Sequence, residues 1–380
     1  MTKEDEMKKA LLEAIATMVG TVIGAGILGI PYVVAEAGFW TGALNIVVLG
    51  IISIILYLYL GEVALRTKGR HQLTGYAEKY LGKKGKFLMM AAMVGGIYGA
   101  LVAYIMGVGQ AIHAMVGIGN PMIYSLVFFA VVSTIIYFGI REVAVSELYM
   151  LPMIIIIVAV IAVFSFNFLN VQNFNVFNIY NIFLPYGVVL FAYLGATAIP
   201  EMEMVLEGNE KSMKKAIVLG MLIPMVIYLF FAFFVVGVSG AGTTEVATIG
   251  LGEIIGKHMV WIGNIFAAIT MTTSFLALGL ALEQMYHFDY NLSKIVSWSL
   301  TCLIPLGIAL AGIAGFVKAL EISGVLAGGL TGILIVLMAV KAKGMSGRRP
   351  EYSVYINWVI AGLLIFLFGA GAGYYLWSII

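Results

Sequence analysis

Residues 20–31 read Gly-Thr-Val-Ile-Gly-Ala-Gly-Ile-Leu-Gly-Ile-Pro and lie in the middle of an apolar segment long enough to cross a bilayer. These glycines and the proline disfavour a continuous helix, because glycine costs about 1 kcal/mol and proline about 3 kcal/mol relative to alanine in a helix interior. Inside a membrane, unpaired backbone groups are tolerated only where they are buried in protein or line a cavity. The stretch therefore predicts a membrane span broken at its midpoint around a polar site, with glycine-mediated helix packing as the alternative.

The composition assigns the whole chain to the membrane proteins. Of its 380 residues, 62% are hydrophobic and only 11% are charged, and apolar runs of about 20 residues recur along it. The lone Cys302 excludes a disulfide framework and a thiolate metal site. We expect one all-α polytopic membrane domain over residues 1–380. Its eleven predicted spans are 9–36, 38–66, 85–116, 122–139, 143–166, 179–206, 213–238, 259–283, 294–313, 316–340 and 354–379.

Basic residues predict the orientation of these spans. Nineteen of the 21 lysines and arginines fall at the N-terminus or in every second loop, and only Lys257 and Lys318 fall on the other side. The positive-inside rule then predicts a cytoplasmic N-terminus and an extracellular C-terminus in the cell membrane. The mixed segment His71–Lys86 predicts a short amphipathic helix on the cytoplasmic surface. Lipid headgroups explain its charges, so we expect no nucleic-acid partner.

A second stretch repeats the pattern of the first. Gly195 stands five residues before Pro200, as Gly26 stands five residues before Pro31, and the two pairs are 169 residues apart. Each pair lies in the first span of a group of five, and the two groups enter the membrane from opposite sides. Matching interruptions in two inverted halves indicate the central site of a transporter.

Each break exposes helix ends of opposite polarity. The second half of span 1 begins near Ile27, so its free amides favour an anion, whereas the first half ends near Ile23, so its free carbonyls favour a cation. A zwitterion with adjacent carboxylate and ammonium groups matches both. The breaks therefore predict an α-amino acid as the ligand, and one with an uncharged side chain, since no acidic or basic partner for a charged side chain stands out.

Several segments resemble the amino acid–polyamine–organocation superfamily, especially its branches that include the aromatic and hydroxy amino acid permeases. Residues 20–31 resemble the first span of that family, Tyr98–Gly109 its third, Phe191–Glu201 its sixth, and Thr273-Ser274-Phe275-Leu276 its eighth. The resemblance implies alternating access and the LeuT-type fold, with five-plus-five inverted repeats. Here these repeats are predicted at about 9–166 and 179–340, followed by an extra helix at 354–379.

The substrate site follows from the breaks and from the resemblance. In the resembling family an aromatic residue at the place of Phe191 closes over substrate, although Phe191 could also be a packing residue. Tyr104, near the middle of span 3, needs a partner for its hydroxyl and could line the site or bond across helices. The predicted substrate-binding residues are Gly24, Ala25, Gly26, Ile27, Tyr104, Phe191, Ala192, Tyr193 and Gly195.

Span 8 carries Thr270, Thr273 and Ser274, whose spacing puts them on one helix face. Small polar residues are ordinary contacts between membrane helices, but hard cations also require several oxygen ligands. Two hydroxyls of this face, the Thr270 carbonyl and the carbonyls of Gly20 and Ile23 would supply five ligands. This set matches the sodium site of sodium-coupled members of the LeuT-type fold, so we predict a bound Na⁺.

One ion is expected rather than two, because the second sodium site of some relatives requires a polar side chain where Ile27 stands. Proton-driven relatives can place a lysine of span 5 at the first site, and span 5 has none between Tyr149 and Phe166. Proton coupling through Glu201 stays an alternative, since an intramembrane acid is a functional candidate by default. Glu62, near a span end, is expected to be a surface anchor.

No enzymatic motif stands out. A Gly-x4-Gly-Lys-Ser/Thr phosphate loop is absent, and the four histidines have no metal-ligand spacing. The sequence thus favours a cation-coupled symporter of neutral amino acids that is not an enzyme. A channel and a non-transporting amino acid sensor are the alternatives from other classes. The oligomeric state cannot be read from the sequence.

Overall fold

The computed structural model describes residues 3–69, 71–138, 143–174, 177–312, 316–345 and 347–379, and every regular element in these ranges is helical, as predicted. The α-helices are α1 (Lys3–Val22), α2 (Gly26–Ala37), α3 (Phe39–Arg66), α4 (Leu73–Val116), α5 (Pro121–Phe138), α6 (Val143–Ser165), α7 (Tyr186–Ala192), α8 (Ala198–Val205), α9 (Met213–Ser239), α10 (Ala247–Ile255), α11 (Lys257–Gln284), α12 (Lys294–Leu310), α13 (Phe316–Ile322), α14 (Gly329–Ala342) and α15 (Trp358–Ile379). Short 3₁₀ turns follow α6, and a π-helical turn joins α13 to α14.

Seven helical segments in the described ranges are long and apolar enough to cross a membrane, and an eighth is added if α1 and α2 form one bent span. The helix α12 and residues Trp358–Tyr374 of α15 are apolar but shorter. The predicted sixth span consists of α7 and α8, which have seven and eight residues. The chain is therefore a polytopic membrane protein, while the number of eleven spans stays a prediction.

The helix at the start of the chain stops inside residues 20–31. α1 ends at Val22, α2 begins at Gly26, and their axes differ by 54°. The Gly24 amide donates to the Val22 carbonyl at 3.1 Å rather than to Gly20, four residues earlier, as it would in a continuous helix. Pro31 lies inside α2. The glycine cluster, rather than the proline, therefore marks the change of direction.

The predicted sixth span is interrupted as well. Its α-helical part begins only at Tyr186, because residues 179–185 form turns, and α7 ends at Ala192, six residues before α8 begins. Within the interruption, Leu194 N donates to Phe191 O at 2.9 Å. α1 packs against α8, and α2 packs against α7. The two interruptions consequently lie side by side.

One element differs from the prediction. Residues 239–258, predicted as a connection, contain α10, a helix of nine residues that packs on α9 and α11. The predicted short helix at His71–Lys86 is present as the first part of α4, which ends in a kink at Gly82, where the backbone is non-helical and its φ of +75° favours glycine. The physical reason for α10 is that a short helix is stabilised by packing on its neighbours, which a local pattern does not show.

The outer surface of the bundle is apolar. Phe87, Val127, Val226 and Phe366 are each at least 60% exposed. Exposing such side chains to water costs about 25 cal/mol per Å², whereas lipid tails accept them. Inside, α9 packs against α1 and α3, while α4 packs against α11. The surface therefore fits a bilayer, and the two interruptions lie within the packed interior.

Candidate functional site

The two interruptions touch through glycines that leave no room for a side chain. A Cβ atom at Gly26 would lie 2.6 Å from the Ala192 Cα, and one at Gly195 would lie 2.6 Å from the Val22 Cγ2. Carbon atoms in contact normally stand about 3.5–4.0 Å apart. The end of α7 thus packs directly on the start of α2, so a larger residue at position 26 would also push these two helices apart.

Gly24, at the centre of the first interruption, faces two hydroxyl groups. A Cβ atom at this position would lie 2.5 Å from the Ser274 Oγ and 2.8 Å from the Tyr104 hydroxyl oxygen. Tyr104 comes from α4 and Ser274 from α11, and both are buried. The structure therefore brings three predicted residues, from the first interruption and from two other helices, to one point.

The predicted cation ligands are brought together in part. The Ser274 Oγ lies 3.4 Å from both the Gly20 and the Ile23 carbonyl oxygens, a distance at the long limit of a hydrogen bond. The hydroxyls of Thr270 and Thr273 donate to carbonyls of their own helix, and Thr273 donates to the Thr270 carbonyl at 3.0 Å. Oxygen-only donors of this kind suit a hard cation. A ligand role for Thr273 would require its hydroxyl to turn towards α1.

Two buried tyrosines that the sequence analysis missed hold the interruptions. The Tyr57 hydroxyl of α3 donates to the Tyr193 carbonyl and accepts from the Gly195 amide at 2.7 Å. The Tyr228 hydroxyl of α9 lies 2.8 Å from the carbonyls of both Val22 and Ala192. A tyrosine in the middle of an apolar span needs a hydroxyl partner. That signal singled out Tyr104 and applied equally to these two residues.

A small cavity of about 50 Å³ adjoins both interruptions. Gly24, Tyr104 and Phe191 line it, together with Thr21 and Thr197. Of the other predicted substrate-site residues, Gly26, Ala192 and Gly195 lie in the packed contact between the helix ends. Ala25 and Ile27 are fully buried. Tyr193 points elsewhere in this conformation, because its hydroxyl donates to the Ile46 carbonyl of α3 at 3.0 Å.

A larger cavity of about 910 Å³, here called the vestibule, opens at the end of the bundle that carries most of the basic loops. Charged residues of both signs line it, among them Lys68, His71, Glu203, Glu207, Asp289 and Arg348. Leu73 of the small cavity follows the vestibule residue Gln72 in the chain, and Thr197 of the small cavity stands three residues before the vestibule residue Pro200. The vestibule therefore leads towards the small cavity.

The acidic residues near this end differ in their surroundings. Glu203 lines the vestibule and accepts a hydrogen bond from the Tyr76 hydroxyl at 2.9 Å. Glu201, the predicted proton site, is partly buried and follows Pro200, a vestibule residue. Among the described residues, Glu203 and Met204 of the same helix line the vestibule, whereas Glu201 itself does not.

Glu62 is buried, which contradicts the expectation of a surface anchor. Its side chain is 4% exposed and accepts from Lys343 Nζ at 2.6 Å, Arg66 Nη2 at 2.8 Å and the Val354 amide at 2.7 Å. The nearby Tyr352 hydroxyl donates to the Leu58 carbonyl at 2.8 Å. Since Lys343 and Val354 lie almost 300 residues beyond Glu62, only the folded chain brings them to it. The network ties the segment before α15 to α3.

Solved structures share this arrangement of helices. The chain superposes on MhsT in complex with L-phenylalanine with a TM-score of 0.65 at 16% identity, over 95% of this chain and 98% of that one. It superposes on Mhp1, a nucleobase-cation-symport-1 family transporter in a closed conformation, with a TM-score of 0.66 at 12% identity, over 95% of this chain and 90% of that one. The protein thus has the fold of these transporters, the LeuT-type fold.

The family model for the tryptophan/tyrosine permease family matches residues 7–374, and the chain belongs to that family. It is 26% identical to the tyrosine-specific transport system 1 of Haemophilus influenzae, over 88% of this chain and 89% of that protein. It is 22% identical to glutamine transporter 2 of Aliivibrio fischeri, over 76% of this chain and 77% of that protein. The family and these relatives are transporters rather than enzymes, and the resemblance drawn from the sequence is confirmed.

Proposed function

We propose that this protein is a secondary active transporter that carries neutral L-amino acids across the cell membrane by sodium-coupled symport and alternating access. The observation that carries the proposal is the meeting of two interrupted helices beside a small cavity lined by Gly24, Tyr104 and Phe191. Interrupted helices at the interface of two halves are the usual substrate site of secondary transporters. Membership of a permease family supports the same conclusion.

A zwitterionic substrate suits the polarity of the helix ends. α1 ends near the cavity with the negative end of its dipole, which favours an ammonium group, and α2 begins there with amides that favour a carboxylate. The residues that line the small cavity carry no formal charge, which favours an uncharged side chain. The relatives named for tyrosine and glutamine, and the neighbour solved with L-phenylalanine, agree with this class of substrate.

Sodium coupling is supported by the cluster of oxygens between α1 and α11. Ser274 already faces the Gly20 and Ile23 carbonyls, and a Thr273 hydroxyl turned towards them would complete the predicted set with the Thr270 carbonyl. We propose a single Na⁺ at this place. Proton coupling is the second candidate, and Glu201, beside the vestibule, is the residue that would carry the proton.

The proposed architecture has eleven spans. It counts α1 with α2 as one span, α7 with α8 as another, and α13 with α14 as a third, and it includes the shorter α12 and α15. The first ten form two inverted repeats, at about 9–166 and 179–340. The N-terminus and the vestibule then face the cytoplasm, in accordance with the basic loops.

A channel is less well supported than a transporter. The small cavity is closed by packed side chains on the side away from the vestibule, where a Cβ at Gly29 would lie 3.1 Å from Leu320 and 3.2 Å from Val188. A binding site reached from one end at a time is the arrangement that alternating access requires. A non-transporting sensor would share this site and is separated only by measuring transport.

Uptake by purified protein in liposomes tests the proposal. We expect saturable uptake of at least one neutral L-amino acid when a sodium gradient is imposed at equal pH on both sides. Thr273→Ala should lose the sodium dependence, whereas Thr272→Ala, whose hydroxyl donates to Ala268 on the same helix, should keep it. Uptake that follows only a pH gradient would replace sodium by protons, and binding without any uptake would favour a sensor.

A further inference from the structure

Tyr228 is fully buried in the middle of α9, and its hydroxyl lies between two helix ends. The oxygens of Val22 and Ala192, each 2.8 Å away, belong to the last residues of α1 and α7. Carbonyls at the end of a helix lack an intrahelical donor and carry partial negative charge. One hydroxyl therefore serves both helices that stop at the centre of the molecule.

The two carbonyls depend on this hydroxyl to different extents. The Val22 carbonyl also accepts from the Gly24 amide at 3.1 Å. Within the described part of the chain, the Ala192 carbonyl accepts a hydrogen bond only from Tyr228. A tyrosine hydroxyl carries a single proton, so the two acceptors share it. Because α9 packs on α1, a movement that separates α7 from these two helices would leave the buried Ala192 carbonyl without a partner, which is costly in an apolar interior.

We infer that Tyr228 is a positioning residue that couples the interruption of α1 and α2 to that of α7 and α8 and favours the conformation in which the vestibule is open. The inference rests on the proposed alternating access, since it assumes a second conformation. Closing the vestibule requires α8, which lines it, and α1, which packs on α8, to move relative to α7 and α2. A bond made in one conformation and stretched in the other shifts the population towards the first.

Neighbouring contacts fix the hydroxyl at this point. The Tyr228 ring lies 5.4 Å from the ring of Tyr193, which is itself held by the Ile46 carbonyl. Tyr57 holds the other side of the second interruption. The ring therefore has little freedom to follow a moving helix. Because the ring is fixed, the hydroxyl can bond both carbonyls only at one distance between α1 and α7, and it favours that distance.

The test measures how accessible the vestibule is, without transport. A single reporter cysteine replaces Met204, an exposed vestibule residue, in a background where the buried Cys302 is changed to alanine. The rate at which a polar maleimide labels purified protein then reports the population with an open vestibule. We expect Tyr228→Phe to lower this rate about 2- to 10-fold, the range that corresponds to one net hydrogen bond.

Two controls separate a positioning role of Tyr228 from a general loss of stability or a change in overall reactivity. Tyr352→Phe also removes a partly buried hydroxyl that donates to a helix carbonyl, that of Leu58, without a hydrogen bond to either interruption, and it should leave the labelling rate unchanged. A reporter at Lys83, exposed outside the vestibule, should react equally in all variants. If Tyr228→Phe does not fold, 3-fluorotyrosine at position 228, a stronger hydrogen-bond donor of nearly equal size, should raise the rate instead.

An unchanged or increased labelling rate in Tyr228→Phe would overturn the inference, as would an equal fall in Tyr352→Phe. The result does not depend on which amino acid or ion is carried. If the labelling shift occurs but liposomes take up no substrate, the coupling stands and the proposed function fails. If uptake is sodium-driven but labelling does not shift, the proposed function stands and the coupling through Tyr228 is wrong.

Discussion

At the scale of single residues, glycines and tyrosines act as pairs at the centre of the molecule. The glycines let backbone approach backbone, as Gly26 does at Ala192, and the tyrosines supply donors to the carbonyls that the interruptions expose. Neither residue type would suffice alone. A carbonyl at a helix end that lacks a donor is costly inside a membrane. A buried tyrosine hydroxyl that lacks a nearby carbonyl has no hydrogen-bond acceptor.

Gly24→Ala should reduce transport by about tenfold or more, because the added methyl group overlaps Ser274 and Tyr104, and overpacking of this kind costs about 1–3 kcal/mol. The measurement is the initial rate of amino acid uptake in liposomes at saturating sodium. Gly362→Ala on α15 is the matched control, since a Cβ there meets nothing within 4 Å. Equal rates for the two variants would show that position 24 is not part of the site.

Phe191→Ala should raise the KM for substrate about five- to tenfold, because Phe191 lines the small cavity and a buried aromatic contact contributes about 1 kcal/mol beyond its area. The comparison is Phe230→Ala on α9, whose ring is 43% exposed on the outer surface. We expect its KM to stay near that of the wild type. Similar changes in both variants would favour a packing role for Phe191 over a gate.

At the scale of helices, two arrangements support the site from outside it. The first is the crossed packing of α1 on α8 and of α2 on α7, which joins each interrupted helix to the other. The second is α3, which presents Tyr57 to the second interruption and, a little more than one turn later, Glu62 to the network with Lys343 and Arg66. Helix α3 therefore connects the segment before α15 to the centre of the molecule.

Glu62→Gln should lower the free energy of unfolding on the order of 2 kcal/mol, because it leaves the charges of Lys343 and Arg66 without their acid. The effect should stay below the roughly 3–5 kcal/mol of a fully buried pair, since the Lys343 side chain is 29% exposed. Thermal unfolding in detergent measures the change. Glu4→Gln removes an exposed pair with Lys8 and should leave the midpoint unchanged, and a shift as large as that of Glu62→Gln would contradict the prediction.

At the scale of the whole molecule, the bundle is open at one end and closed at the other. The vestibule of about 910 Å³ lies among the loops that carry nearly all of the basic residues. The opposite side of the small cavity is closed by contacts of Gly29 with Val188 and Leu320. If the basic loops face the cytoplasm, the structure represents a transporter open to the inside.

The two ends of the chain should lie on opposite sides of the membrane if the proposed eleven spans, an odd number, separate them. An epitope tag before Met1 should be inaccessible to antibody in intact cells, and a tag after Ile380 should be accessible. Permeabilised cells should stain for both tags. Two tags on the same side would mean an even number of spans, and α12 or α15 would then be the first helix to reconsider.

The sequence by itself determined the class of protein, the helical fold, the family and the region where a helix has to stop. These follow from local costs: apolar runs exclude water-soluble folds, and clustered glycines weaken any helix that contains them. The same local reasoning pointed to Gly24, Tyr104 and Ser274, which the structure brings to one point.

Only the tertiary structure decided which groups satisfy the exposed backbone. Tyr228 is 206 residues from Val22, and Tyr57 is 136 residues from Tyr193, so no local pattern connects them. The burial of Glu62, the orientation of Tyr193 away from the small cavity and the packing of α10 have the same origin. A hydrogen-bond partner depends on how distant segments pack, whereas the tendency of a helix to break depends on the residues of that helix alone.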